Sequence, residues 1–191
     1  TSSAIALRAL QEKYLRQRGV VDQKILGIVV PAVEYAVHAT HNKRIGILGT
    51  SATSASKAYD HEITKRDPRC SVRGVACPLL VPLIEDGFLG TGIEESVLEH
   101  YLNDPSLNGI EAIVPGCTHY PLLREAAAKL RPGVDWIDAP AIVAEAVVTA
   151  WAEAGEGSGT TTYYLSDATP SFLALASSTF GIKAHWEKKV L

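Results

Sequence analysis

A short stretch of the sequence, Gly116-Cys117-Thr118-His119-Tyr120-Pro121-Leu122, places a thiol, a hydroxyl and an imidazole in three consecutive residues. An apolar run over residues 110–115 precedes this stretch, and a helical pattern over residues 122–130 follows it. In such a strand–turn–helix unit the cysteine lies at the rim of a sheet, where open α/β folds bind their ligands. N–H groups of the following helix would stabilise a thiolate and lower the thiol pKa from about 8.5 toward neutrality. The pattern indicates a reactive thiol, and a buried structural cysteine is the alternative.

Two further polar turns each follow an apolar segment that we predict to be a buried strand. The turn Thr50-Ser51-Ala52-Thr53 follows residues 44–49, and the acidic turn Glu85-Asp86 follows residues 79–84. Because the carboxyl ends of parallel strands meet at one edge of a sheet, we expect these turns to gather beside Cys117.

Together the three turns offer groups that could bind and deprotonate a small acid. Hydroxyls and turn N–H groups suit a bound carboxylate, and His119 or Glu85 would tune or relay the proton of Cys117. Each residue also has a plainer interpretation. Thr50 and Thr53 could cap a helix, Glu85 could be a solvated turn carboxylate, and His119 could be a capping imidazole.

The elements that must position these turns alternate between strands and helices. The predicted strands cover residues 25–30, 44–49, 71–76, 79–84, 110–114, 136–138 and 161–165. The predicted helices cover residues 4–17, 32–38, 54–63, 93–102, 122–130, 141–152 and 170–180, and residues 155–159 form a flexible connector. This alternation is typical of an α/β protein with a mostly parallel sheet.

Composition excludes several classes of function. The 191 residues are 47% apolar, enough for a sizeable core in one or two domains. A net charge of −3 with scattered basic residues argues against nucleic-acid binding, and no apolar run approaches the roughly 18 residues of a membrane span. Cys70, Cys77 and Cys117 lack the spacing of a disulfide scaffold or a zinc site. We therefore expect a cytoplasmic protein with reduced thiols.

Several segments resemble one known family, in the order in which that family carries them. Gly116-Cys117-Thr118-His119-Tyr120-Pro121-Leu122-Leu123 resembles the second-cysteine signature of the glutamate racemases, within the wider aspartate/glutamate racemase superfamily. Residues 46–53 resemble the family's glycine–threonine turn, and residues 77–85 resemble its Cys-Pro…Val-Pro-Leu…Glu segment. Thr1-Ser2-Ser3-Ala4 is similar to the residues that follow the first catalytic cysteine, and residues 28–36 also fit.

The resemblance implies an α/β racemase fold with a parallel sheet and two pseudo-equivalent domains. Residues 31–138 would form the second domain, which carries the Gly-Cys-Thr-His motif, and residues 1–30 and 139–191 would be parts of the first domain. The family's N-terminal Asp-Ser motif, its Pro-Tyr-Gly turn and its Cys-Asn pair are missing, and Asp138-Ala139-Pro140 replaces the usual Asp-Ser-Gly. We therefore expect the chain to be N-terminally incomplete and to lack the first catalytic cysteine.

The resemblance also implies a chemistry, the cofactor-independent interconversion of L- and D-glutamate. One thiolate would remove the Cα proton and a second thiol would return a proton from the opposite face, without pyridoxal phosphate or a metal. Cys117 would be one of these thiols, supported by His119 and Glu85. The substrate would be held by threonines, namely Thr1, Thr50, Thr53 and Thr118. The D-glutamate would supply peptidoglycan synthesis, and we expect a homo-oligomer, a dimer.

Two other interpretations stay open at this point. The protein could be a racemase or decarboxylase for another acid of the same superfamily, such as aspartate or a hydantoin, and reaction rates on glutamate and aspartate would distinguish these. It could also be a non-catalytic ligand-binding module that retains the fold. A Cys-Asn pair directly before Thr1 would favour the enzyme over the module.

Overall fold

The computed structural model describes residues 2–19, 25–151, 162–180 and 186–189. Within these ranges the helices are α1 (Ser2–Ala9, continuing as a π-helix over Leu10–Leu15), α2 (Val29–Ala39), α3 (Ser51–Ser56), α4 (Ala58–Arg66), α5 (Leu80–Glu85), α6 (Ile93–Leu102), α7 (Arg124–Leu130), α8 (Ala139–Ala150) and α9 (Pro170–Phe180). The strands are β1 (Arg44–Gly49), β2 (Ser71–Ala76), β3 (Ala112–Pro115), β4 (Asp135–Trp136), β5 (Tyr163–Leu165) and β6 (Trp186–Lys188). Short 3₁₀ helices cover Pro105–Leu107 and Tyr120–Leu123.

The main sheet is parallel, with the strand order β2-β1-β3-β4, which confirms the predicted α/β class. Every residue of β1 after Arg44 is buried. Ile45 and Ile47 face one side of the sheet and Leu48 faces the other, as the twofold period of a strand requires. A strand that is apolar on both sides belongs in a sheet that helices cover on both faces.

Two layers of helices supply that cover. On one face α2, α4 and α8 pack over Ile45 and Ile47 of β1 and over Ala112 and Val114 of β3. On the other face α5, α6 and α7 pack over Leu48 and Ile113. Each layer forms a continuous apolar cluster, so the sheet is held between two cores.

The strand order creates a switch point between β1 and β3. After β1 the chain passes to α3 and α4, and α4 packs on the α2 side of the sheet. After β3 it passes to α7, which lies on the opposite side. Loops that leave neighbouring strands in opposite directions open a crevice at the carboxyl edge, and ligands of open α/β sheets bind there.

The strand predicted over residues 25–30 is wrong, because this segment leads into α2. The buried residues of α2 recur at helical spacing, as Val29, Ala32, Val33, Ala36 and Val37. Pro31 is the third residue of the helix, where the missing N–H has no partner four residues earlier. The apolar run is compatible with either a strand or a helix, and its packing against the sheet selects the helix.

The strand predicted over residues 79–84 is wrong for the same reason. These residues form α5, whose buried Leu80, Leu83 and Ile84 also follow helical spacing, and Pro82 again occupies the third position. Glu85 is therefore the last residue of a helix and does not follow a strand. The packing of α5 against α6 and α9 fixes where this carboxylate lies.

The other predicted elements differ from the structure mainly at their ends. The first helix extends through its π-helical turn to residue 17, and β1, β2, α6 and α9 have the predicted bounds. The strand predicted from residue 110 begins at Ala112, and the helix predicted from residue 122 is a 3₁₀ turn followed by α7. The predicted connector 155–159 lies outside the described residues.

A second, two-stranded parallel sheet pairs β5 with β6, a pairing that the sequence did not predict. Helix α9 connects the two strands in sequence and contacts α5, with Ala176 buried and Leu175 packed against the core. In the parts of the chain that the structure describes, no helix combines the length and apolar character needed to cross a membrane.

We expect Gly116→Ala to destabilise the fold by about 1–3 kcal/mol, because the added methyl group would be overpacked against three neighbours that would have to shift. A Cβ at residue 116 would lie 3.1 Å from the Leu48 carbonyl oxygen, 3.2 Å from the Tyr59 ring and 3.3 Å from the Thr53 methyl group. Urea denaturation measures the change in the free energy of unfolding. Gly74→Ala is the matched control, since nothing lies within 4 Å of its Cβ position, and it should leave stability unchanged or raise it by up to about 1 kcal/mol. Equal effects of the two substitutions would contradict this account.

Candidate active site

The carboxyl ends of β2, β1 and β3 are locked together by two hydrogen bonds. The Gly116 N–H donates to the Leu48 carbonyl over 2.7 Å, and the Cys77 N–H donates to the Gly49 carbonyl over 2.8 Å. The ladders thus extend past the strand ends, so Thr50, Cys77 and Cys117 begin the turns that leave one edge of the sheet. Gly116 permits this approach because it has no side chain, and a Cβ at this position would be crowded against β1.

Cys117, His119 and Glu85 form a continuous chain of side chains at the switch point. The Cys117 Sγ lies 3.8 Å from His119 Nδ1, and His119 Nε2 lies 3.0 Å from Glu85 Oε1. Cys117 is 6% exposed, whereas the side chains of His119 and Glu85 are 29% and 54% exposed. The chain therefore runs from a nearly buried thiol to a carboxylate at the surface.

The surroundings of Cys117 lower the pKa of its thiol below the ordinary value. Burial alone would raise this pKa, but hydrogen bonds from the His119 side chain and backbone, together with the charge of the imidazole, favour the thiolate more strongly. The sequence predicts that N–H groups of the following helix supply this effect. In the structure the α-helix begins only at Arg124, after a 3₁₀ turn, and the side chain and backbone N–H of His119 supply the stabilisation.

The same contacts raise the pKa of His119. The hydrogen bond with Cys117 is the main cause, burial opposes it, and the charges of Cys117 and Glu85 add to it. Both shifts favour the charged form of the pair, a thiolate beside an imidazolium, and in that form the sulfur can take up a proton while the ring holds positive charge. Such a pair is suited to proton transfer at a weakly acidic carbon.

The threonines are divided between this site and helix capping. Thr118 is exposed, and its hydroxyl lies 3.5 Å from His119 Nδ1. Thr50 caps α3, because its hydroxyl accepts from the Thr53 N–H over 3.2 Å and lies 3.1 Å from the Thr53 hydroxyl. Thr53 is 2% exposed and packs its methyl group near Gly116. Thr1 lies outside the described residues.

The other two cysteines do not share this environment. Cys77 is fully buried, donates weakly to the Val75 carbonyl, and burial raises its pKa to about 12. Cys70 precedes β2 and thus lies at the opposite edge of the sheet, and its pKa is also raised, mainly by burial. Cys117 is the one cysteine of the three with a lowered pKa.

Two buried tyrosines flank Cys117, and the sequence alone predicts a role for neither of them. The ring of Tyr59, on α4, lies under Gly116, and burial with the nearby Cys117 charge raises its pKa to about 12. Tyr120 is fully buried and donates its hydroxyl to the Cys77 carbonyl over 2.7 Å. The only sequence signal for a role of Tyr120 was its position inside the motif. A tyrosine buried there needs a hydrogen-bond partner for its hydroxyl.

A cavity of about 430 Å³ adjoins the surface end of the chain. Glu85, Thr118 and His119 line one side of it, and α9 closes the other with Phe172 and Leu175. A second cavity, of about 410 Å³, lies between α1, α2 and α4 and contains none of the predicted site residues. Within the described ranges, no three or more His, Cys, Asp or Glu side chains are grouped so that they could hold a metal ion.

The chain is similar in sequence to proteins of one known family. The sequence model of the family described as Asp/Glu/Hydantoin racemase matches residues 2–147. The chain is 36% identical over 188 residues to the glutamate racemase of Persephonella marina, covering 98% of this chain and 69% of that protein. It is 34% identical over 145 residues to the glutamate racemase of a Sulfurihydrogenibium species, covering 76% of this chain and 53% of that protein.

Solved structures give the same picture. The crystal structure of glutamate racemase from Francisella tularensis in complex with D-glutamate matches with a TM-score of 0.79 and 25% identity. The match covers 95% of this chain and 70% of that chain. The chain thus corresponds to between half and about 70% of the length of these proteins.

We expect iodoacetamide to alkylate Cys117 before Cys70 or Cys77 in the folded protein, because alkylation requires the thiolate. A lowered pKa means that the rate at Cys117 should rise with pH and level off below the pH at which an ordinary thiol does. The raised pKa values of Cys70 and Cys77 should keep both slow at neutral pH. Peptide mapping after brief exposure at several pH values measures this. Labelling of Cys70 or Cys77 first would contradict the assignment.

Proposed function

Because the chain belongs to the Asp/Glu/hydantoin racemase family, we propose that it acts in the interconversion of L- and D-glutamate without a cofactor. The observation that carries this proposal is the Cys117–His119–Glu85 chain at the switch point of the sheet. It supplies a thiol with a lowered pKa in the crevice where α/β folds bind small ligands. The relatives named above support glutamate as the substrate.

In this proposal Cys117 exchanges the Cα proton on one face of the substrate. As a thiolate it removes the proton from one enantiomer, and as a thiol it donates a proton when the reaction runs the other way. His119 stabilises the thiolate by hydrogen bond and charge, and Glu85 orients the imidazole and adds to the preference for its protonated form. A Cα–H beside a carboxylate is very weakly acidic, so fixed orientation and electrostatic stabilisation must supply much of the rate.

Inversion also needs a proton carrier on the opposite face. Cys77 is fully buried with a pKa of about 12, and Cys70 lies at the other edge of the sheet, so neither suits this role. We therefore assign the second carrier to a group other than these two thiols. The hydroxyls of Thr50, Thr53 and Thr118 would hold the amino-acid carboxylate and amine, with Thr1 as a further contact.

The wider role follows from the product. D-Glutamate would supply peptidoglycan synthesis, and through it cell-wall biogenesis and cell shape. The reaction would take place in the cytoplasm, and the protein would act as a homodimer.

We further propose that residues 31–138 form the domain that carries Cys117, and that residues 1–30 and 139–191 belong to the other domain. Sedimentation of the purified protein would test the dimer directly.

We expect Cys117→Ala to abolish racemisation, since one face of the substrate loses its proton carrier. Cys117→Ser should also be severely impaired, because a hydroxyl is a much weaker acid than a thiol. The assay follows circular dichroism on both enantiomers of glutamate and aspartate, in the protein as encoded, with any residues beyond these 191. Cys70→Ala is the control and should keep its activity.

Three results of this assay would count against the proposal. Activity retained in Cys117→Ala would exclude the thiol mechanism. A faster rate on aspartate would move the substrate to another acid of the family. No rate on either acid would favour a non-catalytic module.

His119→Ala should lower kcat by about 10- to 1,000-fold, with a smaller effect on KM, if the imidazole supports proton transfer at Cys117. Because Cys117 serves one face, deuterium exchange from one enantiomer should suffer more than from the other. His100→Ala, an exposed histidine of α6, is the control. Equal losses in both directions, or a change in KM alone, would assign His119 to substrate binding.

A further inference from the structure

We infer that Tyr120 is a positioning residue whose buried hydroxyl fixes helix α5, and with it Glu85, relative to the turn that holds Cys117 and His119. The inference rests on the proposed roles of these three residues. The side chain of Tyr120 lies beside Cys117, but its hydroxyl is bound to the Cys77 carbonyl and to none of these three side chains. It acts through the backbone to which it binds.

Tyr120 belongs to the turn that carries the thiol. It is fully buried, it begins the 3₁₀ turn that follows His119, and its N–H donates to the Cys117 carbonyl over 3.2 Å. The backbone of Tyr120 is therefore tied to the backbone of Cys117. Its hydroxyl donates over 2.7 Å to the Cys77 carbonyl, 43 residues away in the sequence.

The acceptor of this hydrogen bond is the start of α5. The Cys77 carbonyl also accepts from the N–H of Leu80, the first residue of α5, over 3.3 Å. The N–H of Cys77 is bound in turn to the Gly49 carbonyl of β1. Tyr120 thus joins the Cys117 turn to the point where the chain leaves the sheet and enters α5.

The other end of α5 carries Glu85, which meets His119. Six residues of helix span about 9 Å, so α5 is attached to the Cys117 turn at two points that far apart. The attachment at Glu85 is an ion pair with a 54% exposed carboxylate, and exposed ion pairs contribute little to stability. Of these two attachments, the buried hydroxyl–carbonyl bond is the one that can fix α5 relative to the Cys117 turn, in addition to the packing of α5 against α6 and α9.

Tyr120 has no part as a proton carrier in this arrangement. Burial, the main cause, and the nearby Cys77 and Cys117 charges raise its pKa well above the ordinary value. Its hydroxyl therefore remains a donor at any pH at which the thiol titrates. The titratable groups that face Cys117 among the described residues are His119, Tyr59 and Tyr120. The pKa values of both tyrosines are raised away from that of the thiol, whereas the raised pKa of His119 and the lowered pKa of Cys117 approach each other.

Tyr101 offers a matched control. It is also a buried tyrosine, on α6, and its hydroxyl accepts from the Leu79 N–H over 3.3 Å, in the same segment before α5. It is not part of the Cys117 turn. Tyr101→Phe therefore removes a hydroxyl contact to this segment without loosening the link between α5 and the thiol.

The test compares Tyr120→Phe with Tyr101→Phe by the pH dependence of Cys117 alkylation and by NMR titration of His119. In Tyr120→Phe the contact between the Glu85 carboxylate and the His119 imidazole should weaken. The imidazolium is then less stabilised, so the His119 pKa should fall, and the thiolate is less stabilised in turn, so the Cys117 pKa should rise. Alkylation at a fixed pH below the midpoint should slow by about two- to fivefold, and Tyr101→Phe should leave it unchanged. A Tyr120→Phe variant that loses stability but titrates like the parent would overturn the inference.

A double-mutant cycle with Glu85→Gln tests whether the effect of Tyr120→Phe depends on Glu85. If Tyr120 acts through Glu85, Tyr120→Phe should shift the Cys117 midpoint little further once Glu85 has been replaced. Fully additive shifts would show that Tyr120 acts by another route and would overturn the inference. These readouts measure a thiol pKa and not racemisation, so the inference and the proposed function fail in separate experiments.

A second measurement applies even if Tyr120→Phe does not fold. Glu85→Gln changes an exposed side chain, and hydrogen exchange of the α5 amides can be followed in that variant. If the buried Tyr120 bond holds α5, these amides should exchange as slowly as in the parent. Faster exchange throughout α5 would mean that the Glu85–His119 pair holds the helix, and the inference would be wrong.

Discussion

The hydrogen bond from the Gly116 N–H to the Leu48 carbonyl is the contact on which the rest of the site depends. At 2.7 Å it brings the ends of β3 and β1 together, and a Cβ on residue 116 would approach the same carbonyl to 3.1 Å. Two strand ends this close place the Cys117 turn beside the Thr50 cap. The helices that follow then diverge to opposite faces of the sheet and leave a crevice over the thiol.

Much of this arrangement could be predicted from the sequence. The runs that form β1 and β2 are bounded by polar turns, and the apolar character of β1 on both faces indicated a covered parallel sheet. The motif around Cys117 lies where a strand ends, so a thiol at the sheet edge followed from local pattern and fold class together. Helices α6 and α9 carried enough periodic pattern to be placed to the residue.

What could not be predicted depends on contacts between distant segments. The apolar runs before Pro31 and around Pro82 suit a strand or the first turn of a helix, and only packing on the sheet selects the helix. Glu85 was expected near Cys117 for a reason that is wrong, since a helix and not a strand delivers it. The Tyr120 bond to Cys77 joins residues 43 apart, and no local pattern encodes such a pair.

The position of β1 between its two neighbours also has a consequence for how the site assembles. Ile45 pairs with Val72 and with Ala112, which follow it by 27 and 67 residues. Closing the longer loop costs about 0.8 kcal/mol more in chain entropy, so the pairing that brings in the Cys117 turn is the more costly of the two. In a chain that has not made this pairing, Cys117 is an exposed thiol with an ordinary pKa. In the folded chain it is nearly buried and its pKa is lowered, so completing the sheet exchanges accessibility of the thiol for thiolate character.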